Sequence, residues 1–81
     1  MDKISKFLRT IGKKRRLRIK EVLSLIMNNQ LDDLDCKKLN GFKNFYRVRV
    51  GNDRIVFRKS SSGNLIVDIF NREKGYKNID T

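Results

Sequence analysis

The sequence predicts an α+β domain in which an N-terminal helical hairpin packs on a small antiparallel β-sheet of three or four strands. Apolar residues recur every three or four positions through residues 4–27, the period of a helix, and every second position from Phe45 onward, the period of a half-buried strand. The chain has no proline and only 5 glycines, a composition for regular elements joined by tight connections. Its 81 residues are expected to form one domain, and the 38% hydrophobic content suits a globular core rather than a disordered tail.

The first helix is expected around Ile4, Phe7, Leu8 and Ile11, with Gly12 as the interruption. A second helix is expected through Ile19, Val22, Leu23, Ile26 and Met27, which follow the i, i+3, i+4, i+7 spacing of one apolar stripe. Asn28-Asn29 provides a stop. Between the two stripes lies Lys13-Lys14-Arg15-Arg16-Leu17-Arg18, which reads either as a solvated helix start or as a direct nucleic-acid contact. Residues 31–41 read as a connector, acidic in its first half.

The strands can be paired from the sequence. Phe45 to Val50 alternates cleanly, and Gly51-Asn52 suits a two-residue hairpin loop with glycine in the first central position. That loop sets Val50 opposite Asp53, Arg49 opposite Arg54, Val48 opposite Ile55, Arg47 opposite Val56 and Tyr46 opposite Phe57. Tyr46, Val48, Val50, Ile55 and Phe57 then form the core face, and Arg47, Arg49, Arg54 and Arg58 the other. A third strand, residues 64–71, joins the core through Leu65, Val67 and Ile69 if Ser61-Ser62-Gly63 is a three-residue loop. Asp68, Phe70 and Arg72 then share the arginine face. Five arginines on one face, two of them directly opposite, oppose folding by roughly 0.2–1 kcal/mol per like-charged pair. Arginine is also the side chain suited to forked contacts with phosphate.

The net charge of +11, from 20 Lys and Arg against 9 Asp and Glu, draws the protein to polyanions; an acidic protein partner is compatible with it, and plain solubility is the bland alternative. The absence of histidine excludes the commonest general base, the usual zinc ligands and any Ser/His or Cys/His pair. No metal site and no cofactor are expected. The single cysteine, Cys36, allows no internal disulfide, which fits a reducing cytoplasm. Its neighbours Asp32, Asp33 and Asp35 are expected to raise the thiol pKa, leaving an ordinary small side chain. No apolar run is long enough to span a membrane, and no signal peptide is visible.

Two segments carry a family resemblance. Lys38-Leu39-Asn40-Gly41 followed by Tyr46 to Phe57, and the close through Ile66 to Ile69, Asn71-Arg72-Glu73 and Tyr76, are similar in order and spacing to the RelE/ParE toxins. The likeness spans about residues 15–78. It implies an endoribonuclease of toxin–antitoxin systems that works at the ribosome and cuts messenger RNA, inhibiting translation. The ParE-like branch acts on DNA gyrase instead and lacks the RNA-cutting residues. Arg47 and Arg49 match two basic residues that alternate on one strand in RelE-like members, Arg54 matches an arginine that opens the next strand, and Arg72 and Tyr76 match a basic residue and a tyrosine near the end. The family usually opens with a strand, whereas this sequence starts almost at the helix, so a sheet short by one strand with an exposed edge is expected. The two alternating positions are lysines in the best-known relatives and arginines here.

The resemblance further implies catalysis by attack of the 2′-hydroxyl on the adjacent phosphorus. Arg54 and Arg72 are expected to stabilise the phosphorane, with Arg47 and Arg49 in support and Tyr76 stacking on a base or placing the phosphate. Lys37, Lys38, Lys43, Arg58 and Lys74 are expected to bind the flanking RNA. Arginine is a poor proton acceptor, so the base is open between Asp68, Tyr76 and groups of the ribosome. Expected partners are messenger RNA, the ribosome and an acidic, partly disordered antitoxin, all in the cytoplasm; a non-catalytic RNA-binding module is the remaining alternative.

Overall fold

The computed structural model describes residues 3–72. Two helices, α1 (Lys3–Arg9) and α2 (Lys13–Met27), precede four strands, β1 (Asp35–Lys38), β2 (Phe45–Val50), β3 (Asp53–Ser60) and β4 (Gly63–Asn71). The strands form one antiparallel sheet in the order β1-β2-β3-β4. The helices cover one face, where Ile19, Val22 and Ile26 of α2 meet Val48, Ile55, Phe57 and Ile69 of the sheet. Ile4, Phe7 and Leu8 of α1 pack against the same core. No helix among the described residues is long and apolar enough to cross a membrane.

Each helix end is closed by a different device. The Arg16 guanidinium donates to the carbonyl oxygens of Leu8 (2.9 Å), in the last turn of α1, and of Ile11 (3.0 Å), in the link to α2. The end of α2 is a Schellman turn: Asn29 takes φ +57°, its N–H donates to Ile26 O, and Gln30 N–H donates to Leu25 O. Asn64 of β4 then ties this end to the sheet by donating to Ile26 O at 2.8 Å. Met27, expected in the apolar stripe, is 56% exposed. It lies about 100° around the helix from Ile26 and about 140° from Val22, beyond the edge of the buried stripe.

The β2–β3 hairpin has the register that the Gly51-Asn52 loop dictates, from Phe45 opposite Arg58 to Val50 opposite Asp53. Gly51 takes φ +61° at the first central position. The segment expected as a connector contains β1. Its short, charged run (Asp35-Cys36-Lys37-Lys38) shows no apolar alternation, because an edge strand needs only one inward side chain, and Cys36 supplies it.

The β3–β4 pairing departs from expectation at its far end. The loop is the two residues Ser61-Ser62, with Ser60 opposite Gly63, and a bulge between Val56 and Phe57 leaves Val67 as an extra residue. Leu65 and Val67, expected in the core, are 51% and 40% exposed, and Ile66 packs there instead, opposite Phe57. The bulge restores the expected register beyond it, with Asp68 opposite Val56, Ile69 opposite Ile55 and Phe70 opposite Arg54. On the face away from the helices, Leu39, Val56 and Phe70 make a second small cluster with Phe45 packed against it.

Candidate functional site

Strand alternation places Arg47 and Arg49 of β2 and Arg54 and Arg58 of β3 on the sheet face opposite the main core, with Arg49 directly across from Arg54. The chain leaving β4 brings in Arg72, whose N–H donates to Asn52 O at 2.6 Å, beside the β2–β3 loop. These charges act on one another. Burial holds the Arg54 guanidinium below its ordinary pKa, and the positive fields of Arg49, Arg72 and Arg47 press in the same direction. Arg54 is only 4% exposed, and its Nη1 donates to the carbonyls of Gly51 and Asp53, both at 3.2 Å. The guanidinium is thus fixed in place inside a positive field, the arrangement that stabilises a developing anion.

Arg47 and Arg49 share a carboxylate that the sequence reading did not single out. Asp35, opposite Arg49 on β1, accepts from Arg47 Nη1 at 3.2 Å and from Arg49 Nε at 2.7 Å. The Arg49 and Arg47 guanidiniums hold the Asp35 carboxyl below the usual carboxylate range. Arg47 is 3% exposed, also donates to Asp35 O at 3.1 Å, and its buried Nε has no hydrogen-bond partner among the described residues. Asp35 could not be found from the sequence because β1 itself was not legible there.

The other expected residues distribute as follows. Lys37 lies opposite Arg47 on the arginine face, whereas Lys38 lies opposite Tyr46, on the helix side. Arg58 is exposed on the arginine face, opposite Phe45 and Leu65, and Lys43 is exposed in the β1–β2 loop. Lys74 and Tyr76 lie outside the described residues. Asp68 pairs with Lys3 Nζ at 2.5 Å and accepts from Ile69 N–H at 2.8 Å, so its described partners are not the arginines. Among the described residues no group of three or more His, Cys, Asp or Glu could hold a metal ion. The Cys36 thiol is pushed up in pKa, but chiefly by burial; Asp35 adds to the rise, while Lys59 and Arg47 oppose it.

The basic run at the start of α2 serves the fold more than a surface. Arg15 makes a two-pronged pair with the buried Asp53, through Nε to Oδ2 at 2.7 Å and Nη2 to Oδ1, and Asn71 Nδ2 adds a contact to Oδ1 at 3.3 Å. Arg16 closes α1, and Arg18 pairs with Glu21 at 2.6 Å. Lys13 and Lys14 remain exposed. The Arg15–Asp53 pair did leave a signal in the sequence. The hairpin register puts Asp53 on the core face opposite Val50, and a carboxylate there requires a cation from the covering helix.

No family model matches the chain. Toxin RelE3 of Methanocaldococcus jannaschii is 40% identical to it over 67 residues, 68% of this chain and 76% of that protein. The crystal structure of the RelB-RelE antitoxin–toxin complex from Methanococcus jannaschii contains a chain that superposes with a TM-score of 0.71 at 30% identity, over 85% of this chain and 84% of that one. With a sequence relative of that identity and coverage, and with the same arrangement of helical hairpin and antiparallel sheet, the chain belongs to the RelE family of toxins.

Proposed function

We propose that this protein is the toxin of a toxin–antitoxin system, a metal-independent endoribonuclease that enters the ribosome and cuts messenger RNA. The observation that carries the reading is the gathering of Arg47, Arg49 and Arg54 on one sheet face, with Arg72 close enough to act on Arg54. In the cleavage step the 2′-hydroxyl oxygen bonds to the adjacent phosphorus and the bond to the 5′-oxygen breaks. The hydroxyl proton passes to a base and a proton returns to the departing oxygen, giving a 2′,3′-cyclic phosphate and a 5′-hydroxyl end. Arg54 and Arg72 stabilise the phosphorane oxygens, and Arg47 and Arg49 hold the phosphate in register. Tyr76 stacks on a base beside the cut. Lys37, Lys43, Arg58 and Lys74 follow the flanking backbone, and Lys38 does so from the edge of β1. Asp35 is a weak base while its arginines hold it ionised, and Asp68 is engaged by Lys3, so we assign the proton acceptor to Tyr76 or the ribosome.

The partner in the resting cell is an antitoxin, acidic enough to complement a chain of +11. The solved relative, recorded in complex with RelB, supports such a partner. Primer extension on a translated message after brief induction in the cytoplasm tests the reading. Cleavage stops phased with codons are expected, and Arg72→Ala, on an exposed side chain, abolishes both the stops and the growth arrest while the domain stays folded. Intact messages together with DNA-damage signalling would instead place the protein with the gyrase-directed branch.

A further inference from the structure

An acidic side chain stands inside the arginine cluster. The two carboxylate oxygens of Asp35 are divided between two guanidiniums, Oδ1 facing Arg47 Nη1 at 3.2 Å and Oδ2 facing Arg49 Nε at 2.7 Å. The two non-bridging oxygens of a phosphodiester engage paired arginines in the same way. The two sides of this contact are unequal in burial. The Asp35 side chain is 51% exposed and lies on an edge strand, whereas that of Arg47 is 3% exposed. The carboxylate can therefore turn out to water while the guanidinium stays where it is. Among the described residues Asp35 also leaves the site incompletely satisfied, because none of them offers the buried Arg47 Nε an acceptor. A pair built only for stability would be expected to satisfy that donor.

We propose that Asp35 is a built-in stand-in for the RNA phosphodiester: it neutralises Arg47 and Arg49 in the free toxin and yields its place when the substrate phosphate arrives. The proposal rests on the reading of this face as the RNA site. A chain of +11 would otherwise present these arginines unopposed to any polyanion. With Asp35 in place, an incoming strand must displace the carboxylate, which a loosely held phosphate does poorly and a strand also gripped by Arg54 and Arg72 does well. Asp35 is then a selectivity residue that raises the threshold for occupancy without reacting itself.

The test is a binding titration by fluorescence anisotropy of the full chain with a short single-stranded RNA carrying 2′-O-methyl riboses, which binds but cannot be cut. Asp35→Asn is expected to bind about tenfold more tightly at low salt, since an opposing charge a few ångströms from the phosphate is gone. The gain should shrink as salt screens the site. Asp35→Glu, which keeps the charge, stays within about twofold of the wild type. Asp35→Ser makes the same charge change should the amide upset β1, and is expected to tighten binding likewise. Equal or weaker binding by the neutral variants overturns the proposal, as does equal tightening by Asp35→Glu. Arg54→Met separates the two readings. If it weakens binding about tenfold or more while Asp35→Asn gives no gain, the Asp35 proposal alone falls. If Arg54→Met leaves binding unchanged, RNA does not occupy this face and both readings fall.

Discussion

Replacing Arg54 with methionine should lower messenger cleavage at least about hundredfold, the loss typical of removing one fixed donor to a developing anion, and should at the same time make the domain more resistant to heat. The two effects share one cause. Arg54 is buried among the fields of Arg49, Arg72 and Arg47, and its pKa is depressed in the folded protein. A cation whose folded pKa lies below its unfolded value costs stability wherever it is charged, and that includes neutral pH; the cost fades only as pH rises through the folded pKa. Methionine fills similar space without the charge, at the loss of the donations to Gly51 and Asp53 carbonyls. The net gain should be about 1 kcal/mol at low salt and shrink at high salt, as judged by thermal melts. A variant that melts lower at low salt than the wild type would remove the argument that function is held here against stability.

The second large effect is on folding alone. Arg15→Ala should cost about 2 kcal/mol, because it takes the cation from the Asp53 carboxylate, which is 3% exposed, and leaves it the Asn71 amide. Stabilities of small domains start near 5 kcal/mol, so the variant should unfold at a much lower urea concentration. Arg18→Ala, which breaks the exposed pair with Glu21, should cost less than about 1 kcal/mol. The double variant Arg15→Met with Asp53→Leu should recover most of the loss, since replacing both members of the pair removes the buried carboxylate along with its cation. Equal midpoints for Arg15→Ala and Arg18→Ala would show that the pair does not anchor α2 to the hairpin.

The parts of the fold that were legible in the sequence are those governed by local rules. Gly51-Asn52 determines the β2–β3 loop, the loop determines the register, and the register puts Arg47, Arg49, Arg54 and Arg58 on one face. The end of α2 at Asn28-Asn29 is similarly local. The illegible parts depend on tertiary partners. β1 is a strand because β2 offers it an edge, and nothing in Asp35-Cys36-Lys37-Lys38 alone specifies that. Asp35 was hidden with it. Arg15 and Arg16 resembled nucleic-acid contacts because the sequence shows their charge but not the Asp53 carboxylate and α1 carbonyls that hold them. The far end of β4 was misplaced because a three-residue loop and a two-residue loop followed by a bulge give the same pairing beyond Val56. Both solutions satisfy Ile69; only the packing of Ile66 against Phe57 distinguishes them.

That bulge gives β4 one residue of slack. Without Val67, Ile66 would still lie opposite Phe57 and Asp68 opposite Val56, as consecutive rungs of an unbroken ladder. Loss of a single codon at this point leaves every inward side chain inward, whereas the same loss at Ile69 would reverse the two faces for the rest of the strand. A one-residue change in length can therefore be absorbed at the bulge without disturbing the arginines nearer the β2–β3 loop.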